Sequence, residues 1–225
     1  MMAQASAARQ ALIAAGVDPT PTPRQSSASK NSSDAQRRSR LLGVPPAKWD
    51  DTFESFHVYE STRGAYEAAL AFVSAKQKHA GLLLWGNPGT GKTHLAYAAA
   101  NYCRERGWPF MFRRVPDVMK ELRSAIQEQK RREQSWGKTE TMGMTADEVI
   151  AMYARPMFLV LDDIGAHQDT EYASAVLYDI IDARYREHVP TLVTSNLSPS
   201  RLDERIASRL KAVECKGEDL RAVYG

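Results

Sequence analysis

Residues 81–85, Gly-Leu-Leu-Leu-Trp, run without a charged side chain into Gly86-Asn87-Pro88-Gly89-Thr90-Gly91-Lys92-Thr93, and a helix-forming segment follows at once. Two glycines with four residues between them, then Lys and a hydroxyl residue, describe a loop that wraps phosphate between the end of a strand and the start of a helix. Chance produces such a match in about one chain in a hundred of this length, and the flanking strand and helix lower that figure further. Glycines at 86, 89 and 91 let the backbone curl until successive N–H groups face one centre. The helix N-terminus adds the positive end of its dipole. Lys92 then reaches the β and γ phosphates of ATP, and Thr93 offers its hydroxyl to Mg²⁺. With His94 in the first helical turn, residues 86–94 form the expected nucleotide-binding segment.

A strand and helix joined in this way belong to an α/β fold, and the chain after residue 49 alternates between the two patterns. Strands are expected at 81–85, 109–114, 158–161 and 191–195, with a weaker one at 212–215. A helix over 93–106 places Leu95, Ala98, Ala99 and Tyr102 on one face, and another over 172–186 does the same with Val176, Leu177, Ile180, Ile181 and Tyr185. Two further helices are expected at 116–129 and 145–154. The polar, basic stretch 130–143 reads as a loop or a frayed helix end, whose lysines and arginines meet either DNA or water.

Charge divides the chain unevenly. Residues 1–50 hold seven Lys or Arg against three Asp, whereas the whole chain of 225 residues carries only +3. Residues 19–40 are Pro, Ser, Thr, Gln and Arg with almost no large apolar side chain, too little to offset the entropy of ordering. Residues 1–40 are therefore expected to be a flexible basic tail with at most a short helix, and residues 41–225 a single ATPase domain. Two cysteines, Cys103 and Cys215, exclude a disulfide scaffold. No apolar run reaches the roughly 18 residues of a membrane span, and no signal peptide is evident, so a cytoplasmic location is expected.

Further chemistry lies at the ends of two other strands. Phe158-Leu-Val-Leu-Asp162-Asp163-Ile-Gly165 is an apolar strand running into two carboxylates, at the edge where open α/β sheets bind ligands. Asp162 is expected to hold Mg²⁺, and Asp163 to orient the attacking water. Thr191-Leu-Val-Thr-Ser-Asn196 ends in an amide that either contacts that water or the γ phosphate, or is a routine turn residue. Residues 199–210 read as one helix with Arg201, Arg205 and Arg209 four apart along one face, either solvated or offered to a neighbouring subunit.

In this order the parts resemble an AAA+ ATPase, and more narrowly the DnaC-type bacterial and phage helicase loaders and the related IstB transposition ATPases. Leu42-Gly-Val-Pro-Pro46 with Thr52-Phe-Glu-Ser-Phe56 is similar to the segment that leads into such a domain. The phosphate loop, Val115-Pro-Asp-Val-Met-Lys-Glu-Leu122, Leu161-Asp-Asp-Ile-Gly165, Thr194-Ser-Asn196, Arg205-Ile-Ala-Ser-Arg209-Leu210 and Gly217-Glu-Asp-Leu-Arg221 continue the likeness over about residues 42–223. The resemblance implies a P-loop AAA+ core: a five-stranded parallel sheet flanked by helices, with the lid subdomain absent or vestigial. It makes Asn196 a sensor and Arg209 an arginine finger acting in trans within a homo-oligomer, and it sets Arg205 and Arg221 near the nucleotide. Thr170 and Tyr172 match positions that contact single-stranded DNA in loaders; stacking on bases suits Tyr172, as does packing at a helix start. The function implied is delivery of a hexameric replicative helicase to single-stranded DNA. Two alternatives stand beside it: a transposition helper on duplex DNA, and a nucleotide-gated scaffold with little hydrolysis. The tail matches no named module and lacks the cysteine-rich zinc module of some loaders. Asp163 stands where many AAA+ enzymes have Glu, a shortening expected to slow turnover.

Overall fold

The computed structural model describes residues 42–74, 80–134, 143–165 and 171–217. Five strands, β1 (Gly81–Trp85), β2 (Phe110–Arg114), β3 (Phe158–Ile164), β4 (Thr191–Ser195) and β5 (Lys211–Glu214), form one sheet in the order β2-β3-β4-β1-β5. Every neighbouring pair is parallel. Helices α1 (Glu60–Val73), α2 (Lys92–Glu105), α3 (Val115–Gln134), α4 (Ala146–Ala154) and α5 (Glu171–Arg186) cover the two faces, and the four-residue α6 (Glu204–Ala207) precedes β5.

The inner strands are buried along almost their whole length and carry apolar runs at their centres because both of their faces are covered. Alternation along each strand sorts the side chains between two cores. Leu82, Leu84, Val160 and Leu192 pack with α1 and α2, whereas Leu83, Leu159, Leu161 and Val193 pack with α3, α4 and α5. The chain leaves β1 for the far edge at β2 and returns through β3 and β4 to β1's side. The carboxyl ends of β1, β4 and β3 are thereby neighbours, and such a reversal of strand order leaves a crevice above the sheet.

The segment leading into the domain is bound tightly to α2. Asn101 donates from Nδ2 to the carbonyls of Lys48 (2.8 Å) and Asp51 (2.9 Å), and the Arg104 guanidinium lies 4.8 Å from the Trp49 ring. Phe53 and Phe56 are buried against Tyr66 of α1. Gly43 admits no other residue: its φ is +82°, and a Cβ there would stand 1.7 Å from the Phe112 carbonyl oxygen.

Several expectations need correction. The sequence pattern assigns no helix to 60–73, yet α1 occupies it, burying Ala65, Tyr66, Ala69, Leu70, Phe72 and Val73. The single helix expected over 199–210 does not exist. Pro199–Arg201 is one 3-10 turn, Leu202 is extended, and α6 starts afresh behind Asp203, whose carboxylate caps Arg205 N. The three arginines consequently form no row. Tyr185, expected on the buried face of α5, is 41% exposed and lies under the Arg209 guanidinium, 5.1 Å from ring centroid to Cζ. Helix α3 runs on to Gln134, past its expected end, and β3 extends through both aspartates to Ile164. Cys103 and Cys215 are free and buried. The expected tail lies outside the described residues.

Candidate nucleotide and metal site

The phosphate loop joins β1 to α2 and is held from beneath by the segment after β5. Gly86 has φ +144°, and a Cβ there would lie 2.4 Å from the Cys215 carbonyl oxygen, so the loop and that segment pass in direct contact. Cys215 N donates to the Trp85 carbonyl at 2.7 Å, and the Cys215 thiol donates to the Thr90 carbonyl at 2.9 Å. Inside the loop, Lys92 is 6% exposed and its Nζ donates to the carbonyls of Gly86 (2.9 Å) and Asn87 (2.6 Å). Gly91 caps α2 in a left-handed conformation, and Leu95 N is the first amide to bond along the helix, to the Gly91 carbonyl. The amides of Thr93 and His94 thus belong to the first turn, where helical N–H groups have no helical acceptor and can serve an anion.

The His94 ring turns the other way. Its Nε2 lies 3.1 Å from the Thr52 carbonyl, its edge meets Phe56, and burial pushes its pKa down. The side chain ties the lead-in segment to α2, leaving its amide as the part that can serve the loop.

At the end of β3, Asp162 is 3% exposed. Its Oδ1 accepts from Thr93 Oγ1 at 3.0 Å and from Thr194 Oγ1 at 2.7 Å. Burial pushes this carboxyl up, and the two hydroxyl donors act against that by favouring the charged form. A hydroxyl and one carboxylate are hard oxygen donors. They suit a cation that keeps several waters and takes one or two carboxylates together with substrate phosphates, as Mg²⁺ does. No group of three or more His, Cys, Asp or Glu placed to hold a metal ion occurs among the described residues.

Asp163 follows in a left-handed conformation, φ +65°. Its Oδ1 accepts from Asn196 Nδ2 at 3.2 Å, and its Oδ2 lies 3.7 Å from Arg114 Nη2 at the end of β2. Lys92, Thr93, Asp162, Asp163 and Asn196, drawn from three separated stretches of sequence, therefore stand at the carboxyl ends of adjoining strands. Arg114, Thr194 and Cys215 were not assigned roles by the motifs. For Thr194 a signal exists: it is a hydroxyl residue at the end of the apolar run that stops just before Asn196.

The arginines lie elsewhere. Arg209 donates from Nε to Asp182 Oδ1 at 2.8 Å, and its carbonyl oxygen is 2.6 Å from where a Gly81 Cβ would be. Gly81 begins β1 and the phosphate loop follows its end, so the Arg209 backbone stands about 13 Å along the strand from the loop. Arg205 is doubly bonded to Asp203 and lies over Tyr178. Tyr172, at the start of α5, is 47% exposed and is not a core side chain. Thr170 and Arg221 lie outside the described residues.

The sequence matches the family described as IstB-like ATP binding protein over residues 28–209. It is 32% identical over 126 residues to the replicative helicase loader DnaI of Bacillus subtilis, covering 56% of this chain and 36% of that one. It is 31% identical over 153 residues to a putative insertion sequence ATP-binding protein of Sinorhizobium fredii, covering 68% of this chain and 46% of that one. This chain therefore spans less than half the length of either relative. Among solved structures, AMPPCP-bound DnaA from Aquifex aeolicus superposes with a TM-score of 0.61 at 24% identity, over 73% of this chain and 50% of that one, which is a likeness of fold.

Proposed function

The chain belongs to the IstB-like ATP-binding protein family, and from that premise we propose that it is an ATP- and Mg²⁺-dependent ATPase that loads a replicative helicase onto single-stranded DNA. The observation that carries the reading is the convergence of Lys92, Thr93, Asp162, Asp163 and Asn196 on one crevice at the strand ends. In this reading the amides of residues 86–94 and the Lys92 ammonium hold the phosphates. Thr93 and Asp162 hold Mg²⁺, which when bound neutralises charge on the phosphate oxygens. Asp163 accepts a hydrogen bond from the attacking water and orients it in line with the γ phosphorus. Asn196 fixes the Asp163 carboxylate and, in this reading, registers the γ phosphate. Water adds to that phosphorus as its bond to the bridging oxygen breaks, releasing ADP and phosphate.

Arg209 stands at the opposite end of β1 from its own loop, so any catalytic contact it makes is with the nucleotide of a neighbouring subunit, which requires an oligomer. Arg205 and Arg221 are assigned to the surroundings of the nucleotide, and Thr170 with Tyr172 to single-stranded DNA. A second reading, an ATPase that assists transposition on duplex DNA, is favoured by the family description and by the nearly equal identity to the insertion sequence protein. Capture distinguishes them. The ATP-bound protein retaining replicative helicase in gel filtration supports the loader, whereas retention of a transposase and no helicase refutes it.

A further inference from the structure

Consecutive residues of an unbroken strand point to opposite faces of the sheet, so Asp162 and Asp163 could not both serve one centre from regular β structure. A β-bulge resolves this. Leu161 pairs with Val193 and Ile164 with Ser195, which leaves both aspartates opposite the single residue Thr194. Such an insertion deprives one bulged residue of its ladder partner. Thr194, 2% exposed, supplies the replacement: its Oγ1 accepts from Asp163 N at 2.9 Å and donates to Asp162 Oδ1 at 2.7 Å. Ser195 points the other way and bonds the Ile164 carbonyl, closing the far end of the bulge.

We propose that Thr194 is the positioning residue of this site, one hydroxyl that clasps the bulge and thereby aims both carboxylates at the same centre. The inference rests on reading the site as a Mg²⁺-ATP centre. One short side chain must donate and accept from a single atom, which a hydroxyl does and a methyl does not. Serine retains the device. Valine keeps the shape of threonine and removes it.

Thr194→Val and Thr194→Ser are compared with wild type in three measurements: ATP affinity without and with Mg²⁺, ATP turnover, and hydrogen exchange of the Asp163 amide in nucleotide-free protein. Thr194→Val is expected to bind metal-free ATP as wild type does, to lose roughly 10- to 100-fold in Mg²⁺-dependent affinity or turnover, and to exchange the Asp163 amide faster. Thr194→Ser is expected to stay close to wild type in all three. Wild-type values in a folded Thr194→Val protein overturn the proposal, as does equal loss in both variants, which makes the methyl group and not the hydroxyl responsible. Should Thr194→Val not fold, Thr194→Ala makes the same cut and Asp163 exchange is read there, with unchanged exchange as the refuting result. Wild-type protein that binds no ATP refutes the site reading itself, and this proposal with it.

Discussion

Arg184 on α5 is 1% exposed, and no carboxylate is among the partners its guanidinium bonds in the described residues. Instead its guanidinium makes five hydrogen bonds: Nε to Thr191 Oγ1 (2.8 Å), Nη1 to the carbonyls of Tyr153 (3.3 Å), Ala154 (3.0 Å) and Pro156 (2.8 Å), and Nη2 to that of Pro190 (2.7 Å). Tyr153 and Ala154 end α4, where carbonyls lack helical donors, so one side chain caps α4 and ties it to the starts of β3 and β4. Burial pushes the guanidinium down to about 10, which leaves it charged at neutral pH. Arg184→Met keeps most of the apolar stem and strands the buried or partly buried carbonyls of Tyr153, Ala154 and Pro156, whereas that of Pro190 still accepts from Leu159 N. Each orphaned group costs about 1–3 kcal/mol, partly offset because the buried charge disappears as well. A net loss of about 3–5 kcal/mol is expected. For a domain of this size that is a fall in Tm of about 10 °C. Thermal unfolding followed by circular dichroism measures it, with Arg184→Lys, which has fewer donors, falling in between. A Tm within about 2 °C of wild type would show that water or neighbouring donors satisfy those carbonyls and would refute the clamp.

Lys92→Ala is expected to weaken ATP binding by at least roughly 100-fold, about 2.7 kcal/mol, in a fluorescent-nucleotide titration; wild-type affinity would contradict the assignment of the loop. Arg209→Ala is expected to bind ATP normally and hydrolyse it poorly, and mixing it with Lys92→Ala protein is expected to restore turnover, whereas a mixture as inactive as its parts argues against action in trans. The Arg209 hydrogen bond and the Arg186 ion pair hold the Asp182 carboxyl below its usual range. That carboxylate therefore adds stability above the ordinary Asp value, and the contribution is lost as pH falls through the lowered folded value. Asp182→Asn should accordingly flatten the acid-side decline in Tm, and an unchanged profile would remove the pair from the account. Gly43→Ala, which sets a methyl against the Phe112 carbonyl at a left-handed φ, is expected to cost more than about 2 kcal/mol by urea denaturation.

The parts of this molecule that were legible from sequence are those specified by short-range pattern. Glycine spacing located the loop, and the inner strands announced themselves as apolar runs because both of their faces are buried. Helix α1 escaped the sequence reading although Ala65, Tyr66, Ala69, Leu70 and Val73 keep helical spacing, because no glycine or proline marks its start and Gly64 lies inside it. The arginine row failed for a local reason: spacing of four means one face only if a helix is continuous, and the 3-10 turn at Pro199 and the cap at Asp203 break it. Other features depend on register and packing between distant segments. Nothing local distinguishes Arg184, wholly buried, from Arg186 two residues later, whose side chain is 70% exposed. Likewise the pairing of both aspartates with Thr194 follows from how β3 lies on β4, which neither strand states alone.

The central claim, that this crevice hydrolyses ATP in the service of a helicase on single-stranded DNA, is tested most directly by ATP turnover of the purified protein. Turnover is measured alone, with single-stranded DNA, with duplex DNA, and with replicative helicase plus single-stranded DNA. Slow basal turnover, raised by single strands and accompanied by a stable helicase complex, is the predicted result. Stimulation by duplex DNA alone, with no helicase complex, would contradict it.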